Sequence, residues 1–509
     1  MDNVSRPWPA LWSLVIGFFM ILVDTTIVSV ANPAIMRGLQ TDINSVIWAT
    51  SAYLLAYAVP LLITGRLGDR FGPKNLYLTG LVLFTAASAW CGFANDIQML
   101  ILARVFQGAG ASMMTPQTMA VITRIFPPDR RGAAMGLWGA VAGLAALTGP
   151  ILGGLLVDSL GWEWIFFVNI PVGLLGFLMA WRFVPALPTH SHTFDLAGVL
   201  LSAAGMFLLV FGIQQGETYH WGSIAGPITV WSLILAGILV LAAFVLWQSR
   251  NRKEPLLPLK IFRDRNFSLA NGGITTVGFA VTCMSLPLIF FFQSVRGLTP
   301  TESALMLAPT AIISAVLAPL VGRTIDKVNP KFFATTGLVL MAGGLGWYAL
   351  LMTPTTAVGL LLLPAAVLGL ANACVWGPMS TTATRNLRPA DAGAGSGVYN
   401  TTRQIGAVLG SASIAALMQA RLAEELPRGA TVSGAQAEAG AAVLPDFLHA
   451  GFSTAMAQSL LLPAAVALAG AVVTLFFARP QSVTDWGKPG SGTPGPAAAE
   501  PAESPHRPR

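Results

Sequence analysis

Blocks of about twenty apolar residues recur from one end of this chain to the other, divided by short polar, Gly- or Pro-bearing breaks. A helix crossing the roughly 30 Å hydrocarbon core of a bilayer needs about 20 such residues, and its backbone polar groups must be satisfied within the helix itself. The pattern predicts an all-α integral membrane protein. We place fourteen transmembrane helices, the first over residues 10–31, the seventh and eighth over 196–214 and 229–247, the thirteenth over 398–420 and the last over 453–477. Composition agrees. Of 509 residues 54% are hydrophobic and 10% charged, too little polar surface to cover a soluble globule of that size.

The net charge of +7 could suggest nucleic acid, but its placement argues otherwise. With both termini inside, 23 of the 29 Lys and Arg residues fall on cytoplasmic segments, four outside (Arg37, Arg296, Arg421, Arg428) and two within spans (Arg104, Arg403). That is the positive-inside bias of a multi-pass membrane protein with both termini in the cytoplasm. Cys91, Cys283 and Cys374 all sit inside apolar blocks, odd in number and without metal spacing, so they read as packing residues. Ser29-Val30-Ala31 after the first block has the look of a signal-peptide cleavage site, but Asp24 within that block and the charge parity of the spans oppose cleavage.

The chain also repeats itself. Gly65-Arg66-Leu67-Gly68-Asp69-Arg70-Phe71-Gly72-Pro73-Lys74 has a counterpart in Gly322-Arg323-Thr324-Ile325-Asp326-Lys327-Val328-Asn329-Pro330-Lys331, matching at five of ten positions. Thr123-Arg124, Gly132-Ala133, Gly136 and Trp138 answer Thr384-Arg385, Gly393-Ala394, Gly397 and Tyr399 in the same order. Internal repeats of helical bundles mark secondary transporters, whose substrate site lies between the halves near the midplane. The first repeat follows the second span and the tenth, so spans 7 and 8 read as a pair inserted between two six-helix bundles. The expected divisions are a bundle over 1–184, the inserted helices and a basic linker over 185–266, a second bundle over 267–478 with an external loop at 421–452, and a disordered cytoplasmic tail over 479–509.

These residues carry a resemblance. Leu22 to Pro33, Gly65 to Lys74, Arg104-Val105-Phe106-Gln107-Gly108-Ala109-Gly110, Gly149-Pro150-Ile151-Leu152-Gly153-Gly154 and Trp162 to Pro171 follow, in order, the motifs of the fourteen-helix drug:proton antiporters of the major facilitator superfamily. The sequence resembles that family over residues 10–480. The resemblance implies the major facilitator fold, export of drugs, antibiotics or related metabolites against protons, and a cytoplasmic latch at Gly65, Asp69, Arg70 and Asp326. It also implies an antiporter motif at Gly149, Pro150, Gly153 and Gly154 that seals against proton leak. Ala145 stands where that motif usually has Gly, and Glu163 where a basic residue is common.

The residues can also be read on their own chemistry. Asp24 is the one carboxylate deep inside a span, where an ionised group costs several kcal/mol unless paired, protonated or wetted. At about 1.5 Å per residue it lies roughly 21 Å above the inner end of its helix, while Arg104 lies about 9 Å below the outer end of a descending one, so their depths match. The pair suits a proton carrier and the cation that tunes it; a static buried ion pair is the alternative. Arg403, in the polar run Asn400 to Gln404 near the inner end of the thirteenth block, either functions or snorkels to the headgroups. Asn32, Gln107, Trp138, Gln293, Asn372, Tyr399 and Asn400 are candidates for an amphipathic cavity between the halves. The second half offers no buried carboxylate, which favours neutral, zwitterionic or monocationic substrates over dications.

No span holds a His, and HExxH, GxSxG and a Walker lysine are missing, so neither an intramembrane enzyme nor an ATP-driven pump is indicated. The expected partners are a small amphipathic substrate, protons and the lipid bilayer, with no cofactor, no metal and a monomeric chain. The runner-up is a proton-coupled importer on the same fold.

Overall fold

The computed structural model describes residues 7–41, 43–127, 130–189, 195–216, 218–219, 221–251, 255–325, 328–425 and 444–478. Asp326, most of the expected loop at 421–452 and the tail from 479 lie outside them.

Apart from one short hairpin, the regular structure of the described chain is helical. Helices α1 (Pro7–Gly38), α2 (Ile43–Ala58), α3 (Leu61–Phe71), α4 (Pro73–Gly92), α5 (Ile97–Ile125), α6 (Arg131–Leu160), α7 (Trp164–Phe167) and α8 (Asn169–Phe183) pack among themselves. So do α11 (Arg265–Phe290), α12 (Pro300–Met306), α13 (Ala308–Ile325), α14 (Pro330–Leu351), α15 (Val358–Thr384), α16 (Ala392–Glu425), α17 (Asp446–Ser459) and α18 (Leu461–Leu475). Between these sets α9 (Leu196–Gln214) and α10 (Val230–Arg250) pair with each other, joined through an antiparallel hairpin of β1 (Ser223–Ala225) and β2 (Ile228–Thr229).

Twelve described helices are long and apolar enough to cross a membrane, or thirteen if the pair Trp48–Ala58 and Leu61–Phe71, bent by 45°, is one span. The expected fourteen includes α4, which falls outside that count. Its polar residues lower its hydropathy, yet several are satisfied inside the protein: the Tyr77 hydroxyl donates to Ser13 O at 3.2 Å and Ser88 Oγ to Phe166 O at 2.9 Å. Leu174, Leu178, Trp181, Leu200, Leu239, Leu320 and Leu350 are exposed on the helix surfaces, as a lipid-facing belt requires.

Several element ends differ from the sequence expectation. Gly65 to Phe71, read as a loop, forms the last turns of α3, and the reversal falls on Gly72, whose φ of 89° favours glycine, with Pro73 opening α4. The expected loop at 421–452 is helical at both margins, through Glu425 and from Asp446. Helix α16 begins six residues before the predicted thirteenth span, which moves Arg403 deep into it.

The two sets meet on two faces, α16 against α3 and α5, and α13 and α15 against α6. Glycine makes both possible. A methyl group on Gly65 would lie 2.6 Å from Gly393 O and 3.0 Å from the Cα of Gly397, and one on Gly322 would lie 2.5 Å from Gly132 O. One on Gly136 would lie 2.5 Å from Ala318 O. The positions that repeat in the sequence are those where the helices of opposite sets touch backbone to backbone.

Candidate functional site

Two fully buried charges form one cluster where α1, α4, α5 and α8 meet. Asp24 on α1 is fully buried, and Arg104 on α5 is 1% exposed. Arg104 Nη1 donates to Asp24 Oδ2 at 2.5 Å. One turn on, Gln107 accepts from the same Nη1 at 2.6 Å and donates through Nε2 to Asp24 Oδ1 at 2.8 Å. Asn169, the first residue of α8, donates to Asp24 Oδ1 at 3.2 Å and to Ser88 Oγ at 3.0 Å. The carboxylate thus has donors on both oxygens, the condition under which a buried ion pair offsets its desolvation.

Aromatic rings complete the enclosure. The Arg104 guanidinium carbon lies 4.0 Å from the ring centroid of Tyr53 and 5.8 Å from that of Phe166, covering Nε and Nη2, which have no hydrogen-bond partner. Gly108 permits this, because a side chain there would strike the carbonyl of Tyr53 and hold α2 away from α5. Tyr53 in turn stacks on Tyr57, with centroids 6.2 Å apart.

Helix α6 closes on α1 one turn from Asp24. A methyl group on Gly149 would run into Thr26 Oγ1 and lie 3.1 Å from Val23 O, and one on Gly153 would lie 3.1 Å from Ile27 O. Pro150 sits inside the helix between them. Gly154 meets Thr301 of α12 instead.

At the far end of α3 a second acid binds across the sets. Asp69, fully buried, accepts from Gly393 N and Ala394 N at 3.0 Å each, so it caps the start of α16, where the helix dipole favours an anion. Arg124 Nη2 donates to Asp69 Oδ1 at 2.5 Å, and Arg66 lies 3.8 Å from Oδ2. Arg70 is turned over the ring of Phe71, 5.3 Å from its centroid. On the opposite crossing Arg131 Nη1 donates to Thr384 O at 3.2 Å. Ala392 to Thr401 and Ala371 to Thr384 are buried throughout, so this side of the molecule is closed.

The candidate cavity residues divide. Gln107 is committed to Asp24 and Arg104. Trp138 stacks on Phe18 at 4.6 Å and 19° in the core. Asn372 accepts from Trp376 Nε1 at 3.3 Å, and Gln293 lies in the π-helical turn Phe291–Val295 after α11. Asn32, Trp138, Tyr399 and Asn400 each keep a buried polar atom without a partner. Sequence reading missed Asn169 and Ser88; the signal was an amide and a hydroxyl within otherwise apolar helices.

A family model described as Major Facilitator Superfamily matches residues 14–411. The chain belongs to the major facilitator superfamily. An uncharacterized MFS-type transporter of Mycobacterium tuberculosis is 54% identical over 473 residues, covering 92% of this chain and 81% of that protein. The tetracenomycin C resistance and export protein of Streptomyces glaucescens is 32% identical over 499 residues, covering 93% and 92%. Among solved structures, the proton:xylose symporter XylE superposes with a TM-score of 0.62 at 13% identity, over 92% of this chain and 95% of that one, a likeness of fold. The protein is therefore a multi-pass membrane transporter of a superfamily that carries small molecules, and its relatives include antibiotic exporters.

Proposed function

We propose that this transporter exports small amphipathic molecules, antibiotics or related metabolites, across the bacterial plasma membrane in exchange for protons. The buried Asp24–Arg104 pair carries this reading. Asp24 is a titratable group locked between α1 and α5 by contacts that depend on its charge. When it takes a proton from outside, Oδ2 no longer holds Arg104 as a carboxylate does, and the grip between the two helices weakens. When it releases that proton to the cytoplasm, the pair re-forms as substrate binds.

Asp69 supplies the latch. The two backbone N–H donors of α16 that it accepts from, Gly393 and Ala394, reach it only while the two helix sets are drawn together at that end, so making and breaking these bonds accompanies alternating access. With the termini placed inside by charge bias, the closed end is cytoplasmic and the conformation is outward-facing. The glycines of α6 hold it against α1 beside Asp24, which keeps water from bypassing the carboxylate. Helix α4 serves as a further span, giving fourteen, arranged as bundles over 1–184 and 267–478 with the inserted pair between them. The chain acts without cofactor as a monomer.

The fold does not decide direction, since it is shared with a symporter. Export is favoured by the tetracenomycin relative, aligned over nearly the whole chain. A pH gradient imposed across proteoliposomes tests the reading: substrate must move against the proton flux, and movement with it would establish the importer.

A further inference from the structure

We propose that Arg403, with Tyr399 and Tyr57, forms the subsite that receives an anionic group of the substrate, a carboxylate or an acidic phenol. This rests on the transporter reading above and specifies what it carries.

Arg403 stands eleven positions into α16, about 16 Å along its axis from the end that Asp69 caps. Its side chain turns across the gap between the helix sets: Nη2 donates to the Tyr57 hydroxyl at 3.2 Å, and that hydroxyl donates to Thr115 Oγ1 at 3.2 Å. Among the described residues Arg403 has no carboxylate partner. Arg104, the other arginine the sequence places inside a span, has one. A permanent cation in the middle of a membrane protein needs compensation, and the protein supplies Arg403 with hydroxyls alone.

The surroundings point to a ligand independently. Tyr399 Oη, Asn400 Oδ1, Thr401 Oγ1 and Arg403 Nε are all buried without a hydrogen-bond partner, four such atoms within five residues of one helix. Buried polar atoms are satisfied in all but a few cases. Tyr399, fully buried, precedes Arg403 by one turn, so its hydroxyl and the guanidinium share a face. A planar anion accepting from the guanidinium fork and the Tyr399 hydroxyl satisfies both at once.

The site also reaches the proton carrier. Tyr57 binds Arg403 through its hydroxyl and stacks on Tyr53, whose ring covers Arg104. An anion that draws Arg403 away from Tyr57 acts on the ring stacked against Tyr53, which covers Arg104, the Asp24 partner.

The test uses two dyes on one xanthene ring system, fluorescein as the anion and rhodamine 6G as the cation, binding to the purified full-length protein in detergent at pH 7.4 by fluorescence polarisation. The wild type should prefer fluorescein. Arg403→Gln should weaken fluorescein about ten-fold or more, the loss of a charge-assisted hydrogen-bonding partner, and leave rhodamine 6G unchanged or tighter. Arg403→Lys, which keeps the charge but not the fork, should retain more fluorescein affinity than Arg403→Gln and guards against a misfolded Gln variant. Failure of the wild type to bind fluorescein, a preference for rhodamine 6G, unchanged fluorescein affinity in Arg403→Gln, or equal loss in Arg403→Lys overturns the assignment. Proton-driven dye movement in inverted vesicles is measured separately. Anion-selective binding without such movement removes the exporter reading and leaves this site standing; driven movement of rhodamine 6G alone does the reverse.

Discussion

Asp24 and Arg104, on helices α1 and α5, are joined at 2.5 Å with Gln107 bonded to both, and both charges are buried. Such a pair is a weak source of stability when intact but a large liability when halved.

The first consequence is thermodynamic. Arg104→Gln leaves an uncompensated buried carboxylate and should destabilise the protein by about 3 to 5 kcal/mol. Adding Asp24→Asn should recover much of that loss, because the remaining groups are neutral and can hydrogen-bond. Thermal unfolding in detergent checks the order of the three proteins. A double variant less stable than the single Arg104→Gln variant would contradict the pairing argument.

Asp69 touches neither Asp24 nor the candidate cavity residues on α1; it binds the start of α16. Asp69→Asn should slow transport several-fold and change substrate affinity little, measured as turnover against equilibrium binding. A large loss of affinity at normal turnover would make Asp69 part of the binding site instead.

Much of this architecture was legible from the sequence, for identifiable reasons. The Asp24–Arg104 pair could be found by depth alone, because a helix rises uniformly and charges inside spans are rare. The crossings at Gly65 with Gly393 and Gly136 with Gly322 were announced by the repeat, since each half presents the same small residues to the other. Rotation about a helix axis was not legible. That is why Gln107 was grouped with the cavity although it faces Asp24, and why Asn169, brought in by the break before α8, went unassigned. The start of α16 was placed late, at 398, because the glycine-rich stretch before it breaks the apolar pattern, whereas here Gly393 and Gly397 are on the helix face on which α3 rests.

Close contact at Gly149 gives a graded prediction. Gly149→Ala drives a methyl group into Thr26 and should separate α6 from α1, raising proton leak through reconstituted vesicles. Gly343→Ala, with nothing within 4 Å, is the matched control and should be silent. Equal leak in both variants would remove the sealing role of α6.

A pH effect is expected away from the membrane core, at the base of α9 and α10. Burial alone would raise the Asp195 carboxyl, but bonds from Gly198 N, Trp247 Nε1, Gln248 Nε2 and Leu256 N outweigh it and hold the group below the ordinary value of 3.8. A depressed native value means the contribution is present above about pH 4 and is lost as pH falls through that lower value. The stability difference between wild type and Asp195→Asn should therefore be full at pH 6 and shrink below pH 4, read by thermal unfolding at both. A difference that grows on acidification would reverse the sign.

The central claim is that Asp24 carries the exchanged proton. The direct measurement is substrate accumulation in proteoliposomes under an imposed pH gradient, with wild type and Asp24→Asn reconstituted at equal density and folding checked by binding. Wild type should concentrate substrate against its gradient, and Asp24→Asn should bind it and exchange it passively without concentrating it. If Asp24→Asn still drives substrate uphill, the proton travels by another group and the account fails.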